Sequence, residues 1–246
     1  MYEKERYLIK RAINEAGLPN GNYFIAGGAC TSVFSNKPIN DLDIYFRTEE
    51  GFNAFTEGHM QKLDAEDHYI YSLVAVTNNA LTYKKGKSTI QLIKKYFLNP
   101  KDLIEKFDFT ICQCAYNNIT DEFILGEDFL HALASRSLKF TGKTDYPIAS
   151  FYRMKKFMSR GYNASAVDMI AMALCVNNLV IKTFVDLKAQ LEGIDTFLLK
   201  DLTDALITKG EAEYNMTEAL AMMNAKLEEK YNSETIEHNE IIEQGE

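Results

Sequence analysis

Gly27-Gly28-Ala29, eleven further residues, then Asp41-Leu42-Asp43-Ile44: the reading of this stretch decides the fold. Tyr23-Phe24-Ile25-Ala26 is apolar and strand-like, and the glycine pair breaks it where a backbone must turn tightly or approach a ligand. Ala29 to Phe34 then starts a helix whose first N–H groups face an anion. Asn40 to Phe46 reads as the next strand. Residues two apart on a strand share a face. Asp41 and Asp43 therefore project together, with Leu42 and Ile44 packed behind them. Two such carboxylates repel unless a cation sits between them. Mg²⁺, which takes oxygen ligands and accepts substrate phosphates, is the cation that fits best. The pattern points to metal-dependent phosphoryl or nucleotidyl transfer.

The same spacing resembles the signature of the DNA polymerase β-like nucleotidyltransferase superfamily, and within it the head of the CCA-adding enzymes and bacterial poly(A) polymerases. Pro38 stands shortly before the first aspartate, as is frequent there. Later segments follow in the same order. Phe107-Asp108-Phe109-Thr110-Ile111 is similar to that family's Arg-Asp-Phe-Thr-Ile strand. Gly126-Glu127-Asp128-Phe129-Leu130 with Ser137 to Gly142 is similar to its Gly-Gly-x-x-Asp-Leu loop and following strand. Pro147 through Arg153-Met154-Lys155-Lys156-Phe157 to Arg160-Gly161-Tyr162 resembles its Arg-x-x-Arg helix.

The resemblance, over residues 20–165, implies an α+β fold: a small mixed sheet with flanking helices, followed by an all-helical C-terminal domain. It implies Asp41, Asp43 and Asp108 as catalytic and metal-binding carboxylates for Mg²⁺ or Mn²⁺. Gly27, Gly28, Ser32, Arg153, Lys156 and Arg160 become the nucleotide-binding set. The reaction would move a nucleoside monophosphate from a nucleoside triphosphate to a hydroxyl on RNA, protein or a small molecule, releasing pyrophosphate. The chain departs from the family in three places. Cys30-Thr31-Ser32 replaces Val-Arg-Asp after the glycines, Lys106-Phe107 replaces a pair of arginines, and a base-reading Glu-Asp-x-x-Arg element has no counterpart. The reaction class carries over, and CCA addition does not. The opposing reading is a catalytically silent nucleotide-binding or regulatory protein of the same fold.

Composition bounds the rest. Of 246 residues, 46% are hydrophobic, enough for a core and against global disorder. No apolar run reaches the roughly 20 residues of a membrane span, and the charged N-terminus is unlike a signal peptide. No membrane partner is expected. Four cysteines without paired metal spacing fit reduced thiols and a cytoplasmic setting. Cys112 and Cys114 read as small core residues. The net charge of −8 disfavours a large nucleic-acid acceptor, whose phosphates need a basic face. The four histidines, His59, His68, His131 and His238, lack ligand-like spacing, which argues against a metal-dependent phosphatase.

Periodicity predicts helices over 2–16, 49–63, 101–106, 150–160, 198–209 and 217–231, and one or two over 164–189. Strands are predicted over 69–76, 80–83, 88–93 and 107–116. On that last strand Asp108, Thr110, Cys112 and Cys114 would share a face. The expected division is a catalytic domain over 1–146, a helical domain over 147–231 and an acidic, disordered tail over 232–246.

Overall fold

The computed structural model describes residues 1–66, 68–192 and 200–226. The acidic segment 232–246 lies outside the described residues, as do the last residues of the expected 217–231 helix. The chain divides into two compact units, one of Met1–Thr144 with Ser150–Leu174, the other of Asp145–Ala149 with the residues from Cys175 onward.

In chain order the first unit runs α1 (Glu3–Glu15), β1 (Phe24–Ala26), α2 (Gly28–Phe34), β2 (Asp41–Tyr45), α3 (Glu49–Phe55), β3 (Ser72–Val76), β4 (Ala80–Lys85), β5 (Ser88–Ile93), α4 (Pro100–Ile104), β6 (Cys114–Asn117), β7 (Glu122–Leu125) and α5 (Phe129–Ser135). Two helices, α6 (Pro147–Ser159) and α7 (Ala166–Asn177), have residues in both units. The strands form one mixed sheet in the order β3-β4-β5-β2-β1-β6-β7. β2 runs parallel to β5, and every other neighbouring pair is antiparallel.

Alternation sorts this sheet into two chemically different faces. Leu42 and Ile44 join Ile25, Ile90, Leu92 and Tyr116 in a core shared with Ile9 and Ile13 of α1 and with Ala29, Cys30 and Val33 of α2. Asp41, Asp43 and Tyr45 occupy the other face, and the register continues it sideways. Asp43 lies beside Gln91, which lies beside Thr82; Asp41 lies beside Thr89, which lies beside Lys84. Burying Leu42 and Ile44 contributes roughly 3–6 kcal/mol. Two carboxylates about 6.6 Å apart along a strand repel by only about 0.6–2.5 kcal/mol for effective dielectrics of 80 to 20. Packing therefore wins, and the acidic pair is held in place by the residues behind it.

Elements with clean alternation or caps match their expected positions. β5 spans Ser88–Ile93, and Asn99 caps α4 by accepting from the N–H groups of Lys101 and Asp102 at 3.0 Å. The expected 107–116 strand does not form as one element. Phe109 makes a single bridge to Phe140, a 3₁₀ turn runs over Thr110–Cys112, and strand pairing resumes at Cys114. The shared face expected for Asp108, Thr110, Cys112 and Cys114 is lost with it. Residues 137–142 likewise pair through isolated bridges, and the 49–63 helix becomes a π turn over Thr56–Met60. The 164–189 stretch is two helices, α7 and α8 (Phe184–Glu192).

The second unit is helical among its described residues, apart from one bridge between Thr183 and Glu213. Its core gathers Phe184, Leu187 and Leu191 of α8, Leu206 of α9 (Lys200–Leu206) and Ala219 of a helix over 216–226. The Asp186 carboxylate accepts from the N–H groups of Lys182 and Thr183, each at 2.9 Å. Those bonds, the Thr183 one first, hold the carboxyl below its usual range.

Candidate active site

Everything expected at the site from residue 27 to residue 160 belongs to the first unit. Asp41 and Asp43 are both half-exposed, on the face of β2 away from Leu42 and Ile44. Tyr45, two residues on, carries that face inward, and the Phe107 ring packs edge-on against it at 6.0 Å between centroids. This contact places the following residue, Asp108, on the same side of Tyr45 as charges that act on its phenol. Its main chain is pinned as well: Thr141 N–H donates to the Asp108 carbonyl at 2.8 Å, and Thr141 Oγ1 to that of Phe107 at 2.7 Å.

The convergence is electrostatic as well as steric. Burial pushes the Tyr45 phenol well up, and the charges of Asp43 and Asp108 push the same way while Arg153 opposes them. Cys112 senses the same three charged groups. Burial raises its thiol to about 12, Asp108 and Asp43 add to the rise, and Arg153 works against it. Asp43, Asp108, Arg153, Tyr45 and Cys112 thus form one cluster. The sequence had singled out only the first three for the site. Tyr45 was legible as the second residue after Asp43, whereas Cys112 carried no signal beyond its apolar surroundings.

Arg153 arrives from α6. Its Nε lies 2.9 Å from Asp108 Oδ2, and its Nη2 donates to Cys112 Sγ at 3.5 Å. Lys156, one turn on, is half-exposed. Arg160 lies beyond the end of α6 and is exposed, and its carbonyl accepts from Arg136 Nη1 at 3.5 Å. Among the described contacts none joins Arg160 to the carboxylates.

At the glycine turn the two residues differ. Gly27 adopts φ 70°, ψ −124°, a conformation that only glycine takes without strain, and its N–H donates to Cys114 O at 3.0 Å. Gly28 is exposed at the first position of α2, and a Cβ placed there would meet nothing within 4 Å. Ser32 is half-buried on α2, its carbonyl accepting from Lys37 N–H at 2.8 Å. Thr31, which stands where the related pattern has arginine, is turned inward and buried.

The donor set suits a hard divalent cation at Asp41 and Asp43, two half-exposed carboxylates on one strand face. The third expected ligand differs, because Asp108 is buried against a guanidinium. Among the described residues no three His, Cys, Asp or Glu side chains are grouped to hold a metal ion. None of the described helices is long and apolar enough to cross a membrane.

Solved structures share the fold. Those of a CCA-adding enzyme with ATP and with CTP both align with a TM-score of 0.50, at 18% and 16% identity. Each alignment covers 90% of this chain, and 50% and 49% of theirs. At such identities the likeness is one of fold, the nucleotidyltransferase fold. Closer in sequence is Gabija anti-defense 2 of Bacillus phage SPbetaL7, 32% identical over 221 residues. That alignment takes in 89% of this chain and 53% of the phage protein, so the chain spans about half the length of that relative. A family model described as Gabija anti-defense 2 family protein matches residues 2–136, a span that holds the glycine turn, both aspartates of β2 and Asp108. The sequence resemblance to the CCA-adding head is therefore a resemblance of fold, and the chain belongs to the Gabija anti-defense 2 family.

Proposed function

We propose that this protein is a metal-dependent nucleotidyltransferase that counters a bacterial defence system by transferring a nucleoside monophosphate from a nucleoside triphosphate to a hydroxyl of an acceptor. The observation that carries this reading is the meeting of Asp43, Asp108 and Arg153 around Tyr45 and Cys112, beside a strand whose Asp41 and Asp43 face outward together. A protein with no reaction to run gains little from bringing two carboxylates and a guanidinium to bear on the same buried groups. The name of its phage relative supports the setting, and a component of the defence machinery is the acceptor it suggests.

In this reading Asp41 and Asp43 hold Mg²⁺ or Mn²⁺. Bound there, such an ion would supply charge stabilisation for the phosphates and the attacking oxygen. Backbone N–H groups at Gly27 and Gly28 approach the triphosphate, and Ser32 offers a hydroxyl. Arg153, with Lys156 on the same helix, offsets the negative charge that develops on the phosphates. A new P–O bond forms at the α-phosphorus as the bond to the leaving pyrophosphate breaks, and the hydroxyl proton passes to water. Little covalent chemistry falls to the protein, which works by positioning and charge.

The second reading, a silent nucleotide-binding protein, is favoured by one feature: Asp108 is engaged by Arg153. Label transfer separates the two. Each α-labelled nucleoside triphosphate is incubated with Mg²⁺ or Mn²⁺, purified Gabija components and cell RNA, beside an Asp41→Ala/Asp43→Ala control. Label passing to one fraction with the wild type alone is the expected result. Nucleotide binding without label in any fraction would leave the silent binder.

A further inference from the structure

Asp108 already faces a cation that the chain itself provides. Its side chain is 8% exposed, and Arg153 Nε stands 2.9 Å from Oδ2. The guanidinium is held from other sides too, by the bond to Cys112 Sγ and by the Phe157 ring, whose centroid is 5.8 Å from Cζ. Arginine stays charged at any working pH, so it cannot vacate the carboxylate by losing a proton. Asp41 and Asp43 differ from Asp108 in being half-exposed on one side of β2.

We infer that Arg153 is the second cation of this site. Asp108 anchors the guanidinium instead of ligating a metal, and Asp41 with Asp43 holds a single divalent ion. The inference rests on the nucleotidyl-transfer reading and fixes how that site is charged. Three carboxylates, one guanidinium and one divalent cation sum to zero. A second divalent cation would leave two uncompensated positive charges beside a guanidinium and a buried carboxylate, an arrangement that desolvation makes costly. Arg153 is thereby a positioning residue with a fixed charge. It lies beside the place where phosphate charge develops, and it is present before substrate arrives.

The test is a Mn²⁺ titration of the full chain without nucleotide, with free ion followed by electron paramagnetic resonance. Wild type is expected to bind one Mn²⁺ per chain. Asp43→Asn should abolish measurable binding at that site, as loss of a ligand does, whereas Asp108→Asn should cost no more than the roughly 10–100-fold that loss of an outer partner does. Arg153→Met, which bares Asp108, should create a second site. Two Mn²⁺ ions bound by wild type would overturn the inference, and that count needs no variant to fold. So would a loss in Asp108→Asn as large as in Asp43→Asn, with melting curves confirming that both are folded; in either case the nucleotidyl-transfer reading would survive. Absence of Mn²⁺ binding by wild type, or binding indifferent to Asp43, would overturn the inference and the reading beneath it together.

Discussion

Thr31 Oγ1 lies 2.7 Å from the carbonyl oxygen of Ile111, eighty residues away in sequence, and 3.1 Å from that of Gly27. One hydroxyl thus ties the glycine turn to the 3₁₀ segment that follows Asp108. Thr31 is 8% exposed, so the bond forms where water competes poorly. Thr31→Val keeps the shape and removes the donor, leaving a buried carbonyl short of a partner. The expected cost is about 1–3 kcal/mol in urea unfolding, with most of it recovered in Thr31→Ser. Equal stability of the valine variant and wild type would mean that the hydroxyl is not what clamps the two segments.

The carboxylate pair predicts a trade between stability and activity. Removing one charge from β2 relieves a repulsion of about 0.6–2.5 kcal/mol, so Asp43→Asn should melt at or above the wild-type temperature without metal. The same variant should lose nucleotide transfer. Mg²⁺ should raise the wild-type melting temperature and leave that of the variant unchanged, because only a state that binds the ion is stabilised by it. A variant still stabilised by Mg²⁺ would place the ion elsewhere.

How much of this was readable in advance depended on contrast along the chain. β2 alternates between buried Leu42 and Ile44 and half-exposed Asp41 and Asp43, so the two aspartates could be assigned to one side from sequence alone. The 107–113 segment alternates too, with Phe107, Phe109 and Ile111 against Asp108 and Thr110. Yet all seven of its residues are buried, so the alternation marks no solvent face and the strand it suggests does not form. The chain closes a 3₁₀ turn there instead, with Cys112 N–H donating to Phe109 O at 2.9 Å and Gln113 N–H to Thr110 O at 3.1 Å. Asp108 still reached the site through a neighbour, the packing of Phe107 on Tyr45, and not through strand alternation. Thr31 failed differently. A threonine in place of arginine reads as a lost ligand contact, whereas here it serves as an internal clamp.

The cysteines give a pH prediction. Burial, joined by the nearby carboxylates, raises the Cys112 thiol to about 12 from an ordinary 9.0, and burial with neighbouring Cys30 raises that of Cys114. The folded chain therefore holds these protons where the unfolded chain has released them. Stability from this source is complete below pH 9 and falls as pH climbs from 9 towards 12. Denaturant midpoints measured between pH 8 and 11 should drop, and less steeply in Cys112→Ala once its own lower starting stability is subtracted. At neutral pH a thiol reagent should modify only half-buried Cys175 in the native chain and all four cysteines in denaturant. Rapid native modification of Cys112 would contradict its burial beside Asp108.

The two glycines separate a structural role from a binding one. Gly27→Ala forces a side chain into φ 70°, ψ −124° and should cost roughly 1–3 kcal/mol whether or not a nucleotide ever binds. Gly28 is different, since a methyl there enters open space and alanine is the better helix former. Gly28→Ala should therefore leave the melting temperature unchanged or slightly higher. If phosphates approach the backbone at this position, the same methyl stands in their path, and nucleotide affinity measured by calorimetry should fall by tenfold or more, about 1.4 kcal/mol. A stable Gly28→Ala variant that binds nucleotide as wild type does would move the phosphates away from the turn and leave Gly27 a purely conformational residue.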